Sequence, residues 1–174
     1  MILSALDRCA RDSPAAQAIA GVVAAVKETL ERNPAARLAW QPLPLKAYRS
    51  LPEGIASSWV FVLRANCSSG AERHPNSIQR MMSFGGSGDM RIWDGRRWVS
   101  HVMPSSADAP LSQRWISIPR NVWHRPVMGS EDWVVLSFHT ASDADLIEER
   151  AVSDDNPDGG QPRSEKYAGR TNRL

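Results

Sequence analysis

The chain has 174 residues, with 21 basic and 19 acidic side chains and a formal net charge of +2. This balanced charge predicts neither a nucleic-acid interface nor binding to an anionic membrane. No apolar run approaches the roughly 18 residues needed to span a bilayer, and the N-terminus lacks the basic region of a signal peptide. The two cysteines, Cys9 and Cys67, predict no disulfide framework, so we expect one cytoplasmic domain with extensions.

The N-terminal third is predicted to be helical. A Ser-Pro pair at 13–14 favours a helix start, and an Asn-Pro pair at 33–34 ends the helix. We expect this helix, 14–32, to pack on the outside of a sheet or on a second subunit. A shorter helix is predicted at 3–11. The apolar stripe that repeats at helical spacing in the longer helix consists of Ile19, Val22, Val23, Val26 and Leu30.

The middle of the chain has the pattern of an antiparallel β protein. Residues 35–57 are rich in proline and are predicted to be an extended connector. Asp94-Gly95 is typical of a hairpin turn. Short strands separated by turns favour an antiparallel barrel or a double-sheet jelly roll over residues 58–145. The predicted strands are 59–63, 79–84, 89–93, 98–99, 115–118 and 133–138.

The chain is predicted to divide into an N-terminal extension with its connector at 1–57, a β domain at 58–145, and a short helix with a tail at 146–174. Residues 143–150 are expected to form one or two helical turns. Beyond Ser153 the chain has few apolar side chains, which predicts a disordered tail unless a partner subunit holds it.

Polar side chains capable of binding a metal ion concentrate in two stretches. Glu72, His74 and Asn76 follow one another at intervals of two, just before the strand 79–84. Residues two apart on a strand point to the same face, so these side chains would face inward together. His124 stands at the start of a distant strand, where its imidazole could close the other side of the cluster.

The first stretch resembles the first signature motif of the cupin superfamily. In that motif His-x-His is followed after three or four residues by Glu, and after six more by Gly. Here the positions are taken by Glu72-x-His74, Gln79 and Gly86. An alternative register would pair His74 with Asn76, but it leaves only two residues before Gln79.

The second stretch resembles the second cupin motif, Pro-x-Gly-x-x-His. Pro119-x-Asn121-x-x-His124 has the same spacing, with asparagine where the family uses glycine for the turn. The resemblance covers residues 58–140. It implies a mainly β fold, an antiparallel cupin jelly-roll barrel with an N-terminal helical extension.

The resemblance also implies one divalent metal ion inside the barrel. Two imidazoles with a carboxylate or amide oxygen suit iron, nickel, manganese or zinc. The alternative is a metal-free polar network in which His74 hydrogen-bonds to Gln79. The implied metal ligands are Glu72, His74, Gln79 and His124, and the implied residues of the substrate cavity are Asn76, Arg80, Met81 and His139.

These features favour a small metal-dependent enzyme that acts on a small organic molecule. Oxygen-dependent, dioxygenase-like cleavage is the first expectation, because two histidines and one carboxylate leave positions open on the metal ion. Isomerase or lyase chemistry is the next. The alternative is a non-catalytic, small-molecule-binding or sensory cupin. The resemblance, the apolar helix and the long tail together predict a homodimer.

Overall fold

The computed structural model describes residues 1–167, which form two antiparallel sheets with helices on one side. The helices are α1 (Ile2–Arg11), α2 (Ser13–Arg32) and the short α3 (Leu111–Arg114), and a single 3-10 turn covers Leu45–Ala47. The strands are β1 (Leu38–Pro42), β2 (Ser57–Leu63), β3 (Glu72–Arg73), β4 (Gln79–Gly85), β5 (Ser87–Trp93), β6 (Trp98–Val99), β7 (Val102–Pro104), β8 (Trp115–Ile118), β9 (His124–Met128), β10 (Trp133–His139), β11 (Ile147–Arg150) and β12 (Arg163–Lys166).

The strands form two sheets, and most neighbouring strands within each sheet are not consecutive in the sequence. The first sheet has the order β1-β2-β10-β4-β8. The second has the order β12-β11-β3-β9-β5-β6, and β7 pairs with β5. The two motif stretches thus contribute to both sheets, since β3 and β9 belong to the second sheet and β4 belongs to the first.

The central strands of the first sheet are apolar on both faces because both faces are covered. Side chains two apart share a face, and on β10 Val135 lies between the two sheets while Leu136 lies under the helices. On β4, Met81 and Met82 divide in the same way. This double burial explains why these strands appear in the sequence as continuous apolar runs.

The helix α2 packs on the outer face of the first sheet. Its side chains Ile19, Val26 and Leu30 are buried against β1 and β2. The preceding α1 is held by Asp7, which accepts hydrogen bonds from Arg114 at 2.6 Å and from the Trp115 indole at 2.8 Å. The predicted helices are therefore present and form a layer over the sheet. No helix within residues 1–167 combines the length and the apolar character needed to cross a bilayer.

Two predictions about the ends of the domain are wrong. The predicted connector, 35–57, contains β1, which pairs with β2 along its length. The helical turns predicted at 143–150 are instead a turn followed by β11, which pairs with both β3 and β12. Helix-forming residues adopt a strand there because those pairings satisfy the backbone and bury Glu148.

The segment after Ser153 is also more ordered than its composition predicts. The Asp158 carboxylate accepts hydrogen bonds from the indoles of Trp93 at 2.7 Å and Trp123 at 2.9 Å. Farther on, Tyr167 is buried among aromatic rings, 4.9 Å from Trp59 between centroids. Long-range polar contacts, rather than local composition, hold this part of the predicted disordered tail. The rest of that tail, 168–174, lies outside the described residues.

Candidate metal centre and the adjoining cavity

The two motif stretches meet at one point of the second sheet. Glu72 on β3 lies directly opposite His124 on β9, which places their side chains next to each other on one face. The turn before His124 is hydrogen-bonded to the first stretch, because the Asn121 amide donates to the His74 carbonyl at 3.1 Å. Asn121 has a φ of 63°, the left-handed conformation expected for a residue in the glycine position of the motif.

Both histidines are held in the orientation that a metal ligand needs. His74 Nδ1 lies 3.1 Å from the Ile147 carbonyl, and His124 Nδ1 lies 3.0 Å from the Val122 carbonyl. A carbonyl can only accept, so each Nδ1 carries the hydrogen, and the neutral form of each ring has its lone pair on Nε2. Such backbone contacts fix the tautomer and the ring orientation of metal-binding histidines.

The atoms that face each other across the cluster are both electron-pair donors. His124 Nε2 is buried without a hydrogen-bond partner within residues 1–167, and it lies 3.7 Å from Glu72 Oε1. Burial lowers the pKa of His124 to about 4, and its hydrogen bond to Val122 only partly offsets this, so the ring is neutral near pH 7. A neutral imidazole cannot form an ion pair with Glu72. A cation between the two atoms would satisfy both.

The distances agree with a metal site. Ligand atoms of Glu72, His74 and His124 all lie within 4.8 Å of one another. Ligands bound at about 2.1 Å to a tetrahedral ion are about 3.4 Å apart, close to the 3.7 Å between Glu72 and His124. Two imidazoles and one carboxylate are a donor set that iron and other divalent transition metals accept.

Arg150 holds the second oxygen of Glu72, a contact that sequence reasoning missed. Its Nη2 donates to Glu72 Oε2 at 3.3 Å, and its Nε pairs with the buried Glu148 at 2.9 Å. Burial disfavours the charge on Arg150, but the two carboxylates outweigh burial and raise its pKa. No sequence signal pointed to this residue, because it lies 78 positions from Glu72 and was expected in a helix.

Gln79 and His139 lie beside the cluster and are joined through a serine. Gln79 Nε2 donates to Ser137 Oγ at 3.1 Å, and the same hydroxyl lies 3.0 Å from His139 Nε2. The other nitrogen of His139 lies 3.4 Å from Ser77 Oγ. Burial and the neighbouring imidazoles His74 and His124 hold the pKa of His139 well below its usual range. With both nitrogens directed at hydroxyls, His139 packs edge-on to His74, 4.9 Å between ring centroids, and supports the cluster without belonging to it.

The amide oxygen of Gln79 remains available. It is buried, and no hydrogen-bond donor reaches it within residues 1–167. Gln79 also lines the cavity next to Glu72. Its oxygen is therefore a buried acceptor that a bound molecule or ion could satisfy.

Three of the four residues expected in the cavity, Arg80, Asn76 and His139, are not in its wall. Arg80 follows Gln79 on β4 and shares the opposite face with Met82, on the side of the helices; burial there lowers its pKa. Asn76 lies beyond the end of β3, where its side chain donates to the Asp145 carbonyl at 2.7 Å and accepts from the Ile147 amide at 3.1 Å. Asn76 therefore holds the turn before β11, and of the four residues expected to line the cavity only Met81 does so.

A cavity of about 40 Å³ adjoins the cluster. On this scale a water molecule needs about 10–15 Å³, so the cavity has room for about three. Met81 lies in its wall, as do Glu72, Gln79 and Arg150. Most of the remaining wall is apolar and includes Phe61, Leu63, Met90, Val135 and Tyr167.

Comparison with known proteins supports the fold. No family model and no curated protein matches the chain. Among solved structures, the coconut allergen cocosin is 18% identical, with a TM-score of 0.52 over 68% of this chain and 29% of its own. A pumpkin seed globulin is 15% identical, with the same TM-score and the same coverage of both chains. Oxalate oxidase in complex with glycolate is 14% identical, with a TM-score of 0.47 over 62% of this chain and 52% of its own.

The matched region thus spans about half or less of these structures' own chains. Cocosin and the seed globulin are cupin-fold proteins, and the likeness to each covers 68% of this chain. Together with the antiparallel strand order and the positions of the two motif stretches, it identifies the architecture. The chain has the cupin fold.

Proposed function

We propose that this chain is a small metal-dependent cupin enzyme, in which the two sheets act as the family's barrel around one divalent ion. Glu72, His74 and His124 would hold the ion, which would be iron, nickel, manganese or zinc, and the substrate would be a small organic molecule in the adjoining cavity. Oxygen-dependent, dioxygenase-like cleavage is the reaction that this ligand set favours first, and isomerase or lyase chemistry is the next.

One observation carries the proposal. The buried His124 Nε2 has no hydrogen-bond partner within residues 1–167 and faces Glu72 Oε1 at 3.7 Å. Two electron-pair donors in this arrangement repel each other, and a buried polar atom without a partner, here His124 Nε2, is unfavourable. A divalent cation removes both costs, whereas a protonated His124 would have to overcome its lowered pKa.

The roles of the protein groups follow from their contacts. The Ile147 and Val122 carbonyls orient the two imidazoles, and Arg150 orients the carboxylate of Glu72. Three protein ligands would leave positions open on a bound ion, which would supply Lewis-acid or oxygen-dependent chemistry. The Gln79 oxygen lies at the border between the ligands and the cavity, where it can accept a hydrogen bond from a bound molecule.

The alternative is a non-catalytic cupin that binds a small molecule without metal. The observation that favours it is the chain of neutral contacts from Gln79 through Ser137 to His139. Gln79 stands where the family motif has a glutamate, so that position supplies no charge to an ion. This reading requires a cavity that binds its ligand equally well after all metal is removed.

The metal content of protein purified without chelators distinguishes the metal-dependent enzyme from the metal-free binding protein. Elemental mass spectrometry should find about one equivalent of a divalent transition metal in the wild-type protein. The variants His74→Ala and His124→Ala should lose most of it and keep their fold, because the sheets have their own apolar core. His101→Ala is the matched control, since His101 is exposed and lies outside the cluster.

The outcome depends on the comparison between variants. Loss of metal from the two cluster variants but not from the control supports the proposal. Equal metal content in all four proteins, or none in any of them after reconstitution with each of the four ions, contradicts it and favours the non-catalytic alternative.

A further inference from the structure

Charge is distributed unevenly around the cavity. Among the described residues that line it, only Glu72 and Arg150 are charged, and most of the others are apolar. The buried Glu148 lies behind Arg150 and is paired with it at 2.9 Å. Any charged ligand therefore meets this small network and no other charge in the cavity wall.

The sum of these charges has a definite sign once a metal ion is bound. Glu72 and Glu148 contribute two negative charges and Arg150 contributes one positive charge, which leaves a net charge of −1. Imidazoles that bind metal are neutral and add nothing. A divalent ion changes the net charge of the site from −1 to +1, and in an apolar cavity one unbalanced charge strongly selects its opposite.

Arg150 also has donors left for a ligand. A guanidinium has five N–H groups, and Arg150 uses its Nε for Glu148, its Nη2 for Glu72 and its Nη1 for the Ser69 carbonyl at 2.9 Å. Within residues 1–167, these contacts leave one N–H on each Nη. Because Arg150 lines the cavity, an anionic group that enters between it and the metal ligands would find both a charge and hydrogen-bond donors.

We propose that the cavity takes a small, mainly apolar molecule with a single negative charge, of the short-chain monocarboxylate class, and that Arg150 is the residue that selects this charge. The inference rests on the proposed metal ion, because the metal-free site would favour a cation. The apolar wall, which includes Phe61, Met81, Met90 and Val135, would contact the hydrocarbon part of the ligand. The cavity volume of about 40 Å³ limits that part to a few carbon atoms unless it extends out of the cavity mouth.

The test compares two probes of nearly equal shape, propionate and propionamide. Their dissociation constants are measured by ligand-observed NMR or calorimetry on protein whose metal content is determined on the same sample. Propionate should bind metal-loaded protein at least about tenfold more tightly than propionamide. Removal of the metal should abolish this preference.

Two substitutions should change the affinity for propionate in opposite directions. Arg150→Gln should weaken it at least about tenfold, whereas Glu148→Gln should strengthen it because it removes a competing carboxylate from Arg150. Arg163→Gln changes the overall charge by the same amount as Arg150→Gln, but at an exposed position on β12, and should leave the affinity unchanged. If Arg150→Gln does not fold, the Glu148→Gln variant and the two probes still decide the question.

Three results would overturn the inference. Metal-loaded protein could bind propionamide as tightly as propionate, bind neither probe, or bind propionate equally well in wild type and in the Glu148→Gln variant. Each of these leaves the metal proposal intact. Failure to find or load metal at all would instead contradict the proposed function and remove the basis of this inference with it.

Discussion

The attachment of α1 gives a quantitative prediction, because it depends on one carboxylate. Asp7 accepts hydrogen bonds from Arg114, Trp115 and Arg11. The Arg114 side chain is only 7% exposed and the Asp7 side chain 15%. Asp7→Asn keeps the shape of the side chain but removes the charge, so it leaves the buried guanidinium of Arg114 without its counter-ion.

The magnitude follows from the pKa of Asp7. Burial alone would raise it, but the hydrogen bonds from Arg114, Trp115 and Arg11 outweigh burial and lower it from 3.8 to about 2. At about 1.4 kcal/mol per pKa unit, the ionised form contributes roughly 2 kcal/mol to stability at neutral pH. Uncovering a buried charge adds to this, so Asp7→Asn should lower the free energy of unfolding by about 2–4 kcal/mol.

The pH dependence has a definite sign. Because the folded pKa is lowered, the contribution is complete above the unfolded value of 3.8 and is lost as pH falls toward 2. About half should remain at pH 3. Urea unfolding at pH 7, 4 and 3 measures the difference between wild type and variant, which should shrink at the lowest pH.

Glu28→Gln serves as the control for this experiment. Glu28 pairs with Arg32 on α2, with side chains 65% and 74% exposed, and such exposed helix pairs contribute about 0.3–0.5 kcal/mol. A loss on Asp7→Asn no larger than that of the control, or a difference that stays constant down to pH 3, would refute the account of how α1 is held.

Three further predictions concern the strands, the tail and the assembly. A methyl group at Gly88 would overlap the Trp133 ring, so Gly88→Ala should lower the free energy of unfolding in urea by about 1–3 kcal/mol. The control Gly129→Ala meets open space and should lower it by less than about 1 kcal/mol. Equal losses would contradict the close packing of Gly88 against Trp133. Asp158→Ala removes the hydrogen-bond acceptor shared by Trp93 and Trp123. It should make residues 151–167 more sensitive to limited proteolysis than the control Asp155→Ala does. Unchanged cleavage would show that other contacts hold this segment. We also propose that the chain forms a homodimer, and sedimentation of a monomer at high micromolar concentration would contradict this.

Elements with a clear local hydrophobic pattern were predictable from the sequence. The strands at β2, β4 and β10 follow from short apolar runs bounded by turns, and the helix α2 follows from its stripe and its Ser-Pro start. The meeting of His74 and His124 followed from motif spacing alone. It required no knowledge of which strands pair, because the family resemblance already relates the two stretches.

Features that depend on long-range pairing were not predictable. β11 forms from helix-favouring residues because β3 and β12 lie beside it, and only that pairing brings Arg150 to Glu72. Arg80 was misplaced because a shift of one residue along a strand reverses the face. Asn76 was misplaced because it follows Pro75, beyond the end of β3, where strand alternation no longer applies.

The most direct test of the central claim is anomalous X-ray diffraction from crystals soaked in iron, nickel, manganese or zinc. The account predicts one strong anomalous peak bounded by Glu72 Oε1, His74 Nε2 and His124 Nε2, and its absence in the His124→Ala variant. No peak at this position for any of the four ions, or a peak that persists unchanged in the variant, would contradict the claim that this cluster is a metal site.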